Sequence, residues 1–142
     1  HDALPICIIA TDSSNGGTTG IFSLQNRDWV SEMATRVGLK DDIFVPCYEV
    51  GTIIGNVISN DTKLSKNTKV VTGGGDVQLG SAGLGVVEEN QVAILGGSFW
   101  QQVVNIKSTI KPPQDMSIRV NPHVVDGLCQ AEGITFFSGL VM

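Results

Sequence analysis

Apolar positions in this chain come in short runs, and most of the runs end on glycine or a polar cluster. Ile21-Phe22-Ser23-Leu24, Gly51 to Ser59 (GTIIGNVIS) and Lys69-Val70-Val71-Thr72 are β-branched or aromatic blocks, the pattern of short strands. Val92 to Leu95 and Ser98 to Val104, joined by Gly96-Gly97, predict a β-hairpin with a two-residue turn. Ile118 to Val125 and Leu128 to Ala131 predict two further extended segments. Helical spacing is clear twice. Trp29, Met33 and Val37 fall on one face of a helix that Asp28 caps and Gly38 stops. Phe136, Phe137, Leu140 and Val141 predict a terminal helix.

Polar connections fill the rest. Thr11 to Gly20 (TDSSNGGTTG) reads as a glycine-rich loop, and Asp41 to Glu49 as irregular chain around Pro46. Asp61 to Lys69 is a polar link, and Pro112-Pro113 breaks the loop from Ile106. In Val77 to Val87, Gly80, Gly83 and Gly85 each weaken a helix by up to ~1 kcal/mol, but they allow a neighbouring backbone to come close. Glu88-Glu89-Asn90 is a polar break, and we place a domain boundary there.

Composition narrows the classes. Charged residues make up 16% of the 142, against about 25% in an average soluble domain, and 42% are hydrophobic, which excludes a disordered chain. A net charge of −5 argues against a nucleic-acid-binding face. The long uncharged run Gln91 to Ile106 contains Gln, Asn and Ser, and it is shorter than the ~20 apolar residues of a membrane span. Cys7, Cys47 and Cys129 are too widely spaced for a disulfide framework or a zinc site, so a reducing cytoplasm is the expected compartment. The chain starts at His1 and stops in mid-pattern at Met142, so we expect an internal fragment of a longer protein. Residues 1–6 (HDALPI) match the translation of a common sequencing adapter and are expected to be an artefact, the alternative being a true strand end.

The usual nucleotide signatures fail. No GxxxxGK[ST] loop is present, and Gly80-Ser81-Ala82-Gly83-Leu84-Gly85 carries the glycines of a dinucleotide fingerprint in the wrong order. His123 has no histidine partner apart from His1 and reads as structural. Cys47 and Cys129 read as buried thiols. Two motifs remain. In Thr72-Gly73-Gly74-Gly75-Asp76 a strand ends, glycines turn the chain, and a carboxylate is presented where ligands gather in α/β sheets. That carboxylate could take a proton from a substrate hydroxyl, or it could simply cap the next helix. Leu95-Gly96-Gly97-Ser98 exposes backbone N–H groups and a hydroxyl that suit a phosphate oxygen, or it is an ordinary hairpin turn.

At these motifs the chain resembles the FGGY family of carbohydrate kinases. The likeness is carried by Thr11–Trp29 (TDSSNGGTTGIFSLQNRDW), Val70–Val87 (VVTGGGDVQLGSAGLGVV) and Ala93–Asn105 (AILGGSFWQQVVN), with Arg119–Val124 (RVNPHV) and Gln130–Met142 (QAEGITFFSGLVM) adding to it. Ser98 to Gln102 and Asn121-Pro122-His123 resemble the branch that phosphorylates autoinducer-2. The resemblance implies an α/β, actin-like, ribonuclease-H-like ATPase fold. Residues 7–89 would end the N-terminal kinase domain and residues 90–142 would start the C-terminal one, so the chain spans their junction. It also implies Asp76 as catalytic base and Gly96, Gly97 and Ser98 as the phosphate-binding turn. Gly97 stands where many members have threonine, so Ser98 would supply the hydroxyl, and Gln78 would contact substrate. The implied cofactors are ATP and Mg²⁺ and the implied partner is a small sugar-like substrate, with no nucleic acid and no membrane. The acceptor would be the linear form of autoinducer-2; the alternatives are a pentulose or other sugar kinase, or a non-catalytic sugar-binding protein with this fold. The family's first phosphate loop and adenosine motif lie outside the chain, so these residues are expected to be inert alone.

Overall fold

The structure, a computed structural model, describes residues 8–58, 60–96, 99–115 and 117–135. The expected terminal helix, Cys7 and residues 1–6 lie outside the described residues. Through Gly83 the elements are β1 (Thr11–Asp12), α1 (Ser13–Gly16), β2 (Phe22–Ser23), β3 (Asp28–Trp29), α2 (Ser31–Arg36), β4 (Cys47–Tyr48), β5 (Ile53–Asn56), β6 (Lys69–Val71) and α3 (Asp76–Gly83). β1 and β4 pair in parallel, whereas β2 with β3 and β5 with β6 are antiparallel. Next come β7 (Val92–Gly96), β8 (Trp100–Lys107), β9 (Arg119–Pro122) and β10 (Leu128–Thr135), which form an antiparallel sheet in the order β7-β8-β10-β9.

Several expectations shift. The loop expected over 11–20 is mostly helical turn, because the buried Asp12 carboxylate accepts the N–H groups of Ser14 and Asn15 at 2.9 and 3.2 Å and so caps α1. The helix expected from Asp28 starts only at Ser31, because tertiary contacts claim Trp29. Its ring stacks on Phe44 at 4.8 Å, meets Phe22 edge-on at 5.4 Å, and its Nε1 donates to the Val45 carbonyl at 2.8 Å. Consequently Ala34, not Met33 or Val37, is the buried residue of α2. Gly38 does end that region, with φ at +77°. The Gly96↔Trp100 register leaves three residues in the hairpin connection instead of two.

The sheet is inverted relative to the usual apolar-inside pattern. Register puts Ala93, Val103, Glu132 and Arg119 in one rank and Asn105, Gln130 and Asn121 in the next on the same face. Of these, all but Arg119 are buried. On the opposite face Val92 and Ile94 are 62% and 61% exposed. The amides are inside because the irregular link between α3 and β7 lies against them. Asn105 Nδ2 donates to the carbonyls of Val86 and Glu88, both at 3.1 Å, and Gln130 Nε2 donates to Asn105 Oδ1 at 3.1 Å. The accessible surface is 9212 Å², whereas a compact monomer of this mass shows about 7,000 Å².

The two parts of the chain meet through glycine. A Cβ on Gly17 would overlap the Pro122 ring of β9. We expect Gly17→Ala to destabilise the full-length protein by ~1–3 kcal/mol, through forced displacement of β9, read as a lower urea midpoint. An unchanged midpoint would show that β9 can retreat freely.

Candidate active site

β6 runs into Thr72, whose hydroxyl donates to the Glu49 carbonyl at 2.6 Å and accepts the Thr52 N–H at 3.1 Å. Three glycines then carry the chain into α3. A Cβ on Gly74 would come within 3.0 Å of both Val124 and Val50, and one on Gly75 would collide with Gln78 Oε1. The Gly75 N–H donates to Ser14 Oγ at 2.7 Å, which ties this corner to the Asp12-capped turn. The side chains of Val50, Val124 and Gln78 thus crowd the corner at Gly74 and Gly75.

Gly75, not Asp76, holds the capping position of α3, and Asp76 is the first helical residue. Its carboxylate accepts the Val77 N–H at 2.8 Å and is exposed, favourably placed at the helix N-terminus. Asp76 lines a cleft of about 120 Å³ whose walls are almost wholly polar. Asn15 and Ser14 stand on its own side, and Gln101, Arg119 and Asn121 come from the four-stranded sheet. A larger cavity of about 430 Å³, lined by Ile8, Ile9, Ile54, Val70 and Val71 beside the glycine corner, does not reach Asp76.

Gln78 lies in the wall of the same cleft but is buried, and its Nε2 donates to Glu132 Oε1 at 2.9 Å. That nitrogen is therefore committed to protein. Gly96 ends β7 opposite Trp100, next in sequence to the cleft-lining Gln101. Gly97 and Ser98 lie outside the described residues. The structure thus brings Asp76 and Gln78 to one cleft and sets Gly96 on β7, paired with the strand that carries the cleft-lining Gln101.

Sequence reasoning missed Glu132 and Arg27. Glu132 carried a signal, as the only charged residue of β10 (LCQAEGIT). Arg27 carried none. It sits in the turn between β2 and β3 with φ at +52°, and its buried guanidinium forks onto Glu49, both contacts at 2.6 Å. The same group donates to Ser13 Oγ at 2.5 Å and to the His123 carbonyl at 2.9 Å.

Of the residues read as structural, His123 and Cys129 are buried, whereas Cys47, expected to be buried, is only half-buried at the end of the short parallel pair. His123 is fully buried, its Nδ1 accepts the Val125 N–H at 2.9 Å, and burial holds its pKa below the usual imidazole range. Burial foremost, then the charges of Asp12, Glu49 and Asp28, pushes the Cys47 thiol up to about 11. Burial also raises Cys129. Neither is a nucleophile at neutral pH. Among the described residues, no three His, Cys, Asp or Glu side chains are grouped to cage a metal.

Comparison with known proteins fits this geometry. Residues 8–83 match the N-terminal domain of the FGGY family of carbohydrate kinases. The chain is 51% identical over 137 residues to autoinducer-2 kinase of Escherichia coli K12 and 52% identical to that of Enterobacter sp. strain 638. Each alignment covers 94% of this chain and 26% of the relative, so the chain spans about a quarter of the length of the curated relatives it matches. Gluconate kinase from Lactobacillus acidophilus superposes with a TM-score of 0.84 at 18% identity, over 94% of this chain and 27% of that one. Plasmodium falciparum glycerol kinase with ADP gives 0.81 at 15% identity, over 93% and 27%. The fold is the actin-like α/β fold of these sugar kinases, and with its family match extending over more than half its length the chain belongs to the FGGY family of carbohydrate kinases.

Proposed function

We propose that the full-length protein is a kinase that moves the terminal phosphoryl group of ATP onto a hydroxyl of a small polyhydroxylated carbonyl compound. The acceptor in this reading is the linear form of autoinducer-2, and the reaction processes that signal in the cytoplasm. One observation carries it: an exposed carboxylate, Asp76, at the mouth of a polar cleft walled by the glycine corner and the following sheet. Phosphoryl transfer depends on positioning and charge stabilisation more than on covalent chemistry by the protein. Asp76 accepts the proton of the acceptor hydroxyl as its oxygen attacks phosphorus. In this reading Gly96, Gly97 and Ser98 are the residues that bind the ATP phosphates, a role their small size and the Ser98 hydroxyl suit.

Residues 7–89 belong to the N-terminal domain in this reading and residues 90–142 to the C-terminal one. In support, the family match ends at residue 83 and the continuous sheet starts at Val92. The cofactors in this reading are ATP and Mg²⁺, and the metal would supply charge neutralisation on the phosphates. The acceptor assignment leans on relatives above 50% identity named autoinducer-2 kinase, since structural neighbours of one fold include gluconate, xylulose and glycerol kinases. Among the described residues, no helix is long and apolar enough to cross a membrane.

The test is ADP release by the full-length protein with dihydroxypentanedione, xylulose, ribulose or glycerol. Dihydroxypentanedione should exceed the others by at least ~10²-fold in kcat/KM, well within the ~10⁴-fold that a site built to hydrogen-bond a substrate hydroxyl reaches. Preference for a pentulose would keep the kinase and discard the acceptor. Ligand binding without ADP release on any compound would make this a sugar-binding protein.

A further inference from the structure

The far wall of the cleft holds a carboxylate for which the kinase reading has no use. Glu132 on β10 has a side chain only 2% exposed. A carboxylate is costly to bury unless it is bonded, and this one accepts from Gln78 Nε2 at 2.9 Å and faces Arg119 Nε at 3.9 Å. We propose that Glu132 is a positioning residue, holding Gln78 and, through the first turn of α3, setting the Asp76 carboxylate against the sheet. This rests on the kinase reading above.

The geometry of the Gln78 amide carries the proposal. Its nitrogen donates to Glu132, so its oxygen points the other way, toward Gly75. Turning the amide over would set its oxygen against the carboxylate, an acceptor facing an acceptor. Glu132 therefore fixes which way Gln78 lies, with its amide oxygen beside Gly75, the residue immediately before Asp76. Asp76 and Gln78 share the first turn of α3, so a shift of one moves the other. Misplacement of a reacting group by ~1 Å costs on the order of 10²-fold in rate. The contact also joins two separate parts of the chain, since Gln78 lies within the family-matched residues 8–83 and Glu132 in the four-stranded sheet.

The experiment uses the full-length protein and the variants Glu132→Ala, Glu132→Gln, Gln78→Met and the double variant Gln78→Met with Glu132→Ala. Each of Glu132→Ala and Gln78→Met should lower kcat by ~10–100-fold with the KM for ATP nearly unchanged. Glu132→Gln, whose amide oxygen still accepts from Gln78, should recover most of the rate. The double variant should be no slower than the slower single variant. Multiplying losses, or no rescue by Glu132→Gln, would overturn the proposal. If Glu132→Ala fails to fold, a wild-type rate in Gln78→Met overturns it by itself. Backbone hydrogen exchange at residues 75–78, which needs no turnover, should rise at least ~10-fold in Gln78→Met. Unchanged protection there would overturn the proposal even with an active kinase. Faster exchange in Gln78→Met, with a wild-type protein that turns over no acceptor, would instead support the contact and remove the kinase reading.

Discussion

Asp76→Asn in the full-length protein should lower turnover by ~10²–10⁴-fold, the usual contribution of a general base, while the KM for ATP changes little. Asparagine keeps the shape and can still accept the Val77 N–H through its oxygen, as Asp76 does at 2.8 Å. It cannot take a proton. The substitution thus separates the two roles that the sequence left open for this carboxylate. If Asp76 served only the helix terminus, asparagine, itself well suited to that region, would leave the rate where it was. Initial rates of ADP release together with a thermal midpoint decide it. A rate within a few-fold of wild type would remove Asp76 from the chemistry.

The largest stability effect is expected at Arg27. Its side chain is 7% exposed, and its charge persists because the hydrogen bond and charge of Glu49, then the charge of Asp126, outweigh the desolvation that burial imposes. One guanidinium joins the β2–β3 turn to Glu49, to Ser13 and to the turn between β9 and β10, through the carbonyls of His123 at 2.9 Å and Leu128 at 3.5 Å. Arg27→Met should cost ~2–4 kcal/mol, from the His123 carbonyl losing its side-chain donor and the loss of a largely buried charge pair. The figure stays below that of a fully buried pair because the Glu49 side chain is 45% exposed. Lysine should recover only part, since it is a point charge and lacks the planar fork. Urea unfolding of the full-length protein reads this directly. A loss under ~0.5 kcal/mol would mean that water replaces these contacts at no cost.

Short-range chemistry was legible in the sequence. β-branched runs flanked by polar residues gave β5 and β6, paired apolar runs gave the β7–β8 hairpin, and glycines before a carboxylate gave the corner at Asp76. What stayed hidden depends on partners far along the chain. Trp29 has the spacing of a helix, but Phe22, Phe44 and Val45 draw it into a strand and an aromatic cluster. Asp12 looks like a loop residue until its carboxylate gathers two N–H groups. Arg27 reaches a carbonyl 96 positions away and Gln78 a carboxylate 54 positions away, and no local pattern encodes such pairs. Gln78 was singled out as a substrate contact, yet its amide nitrogen faces Glu132, because an aliphatic strand delivers a charge to that point.

The amides on the covered face of the sheet bear on strand alignment. Sliding β8 by one residue would put Val104 or Ile106 where Asn105 stands, and the Val86 and Glu88 carbonyls would lose their donor. An aliphatic face loses only a little packing in such a slip, whereas Asn105, bonded to two carbonyls and to Gln130, loses its bonds all at once. Asn105 and Gln130 therefore lock the strands in register, and that lock fixes where the hairpin ending at Gly96 comes to lie relative to Asp76.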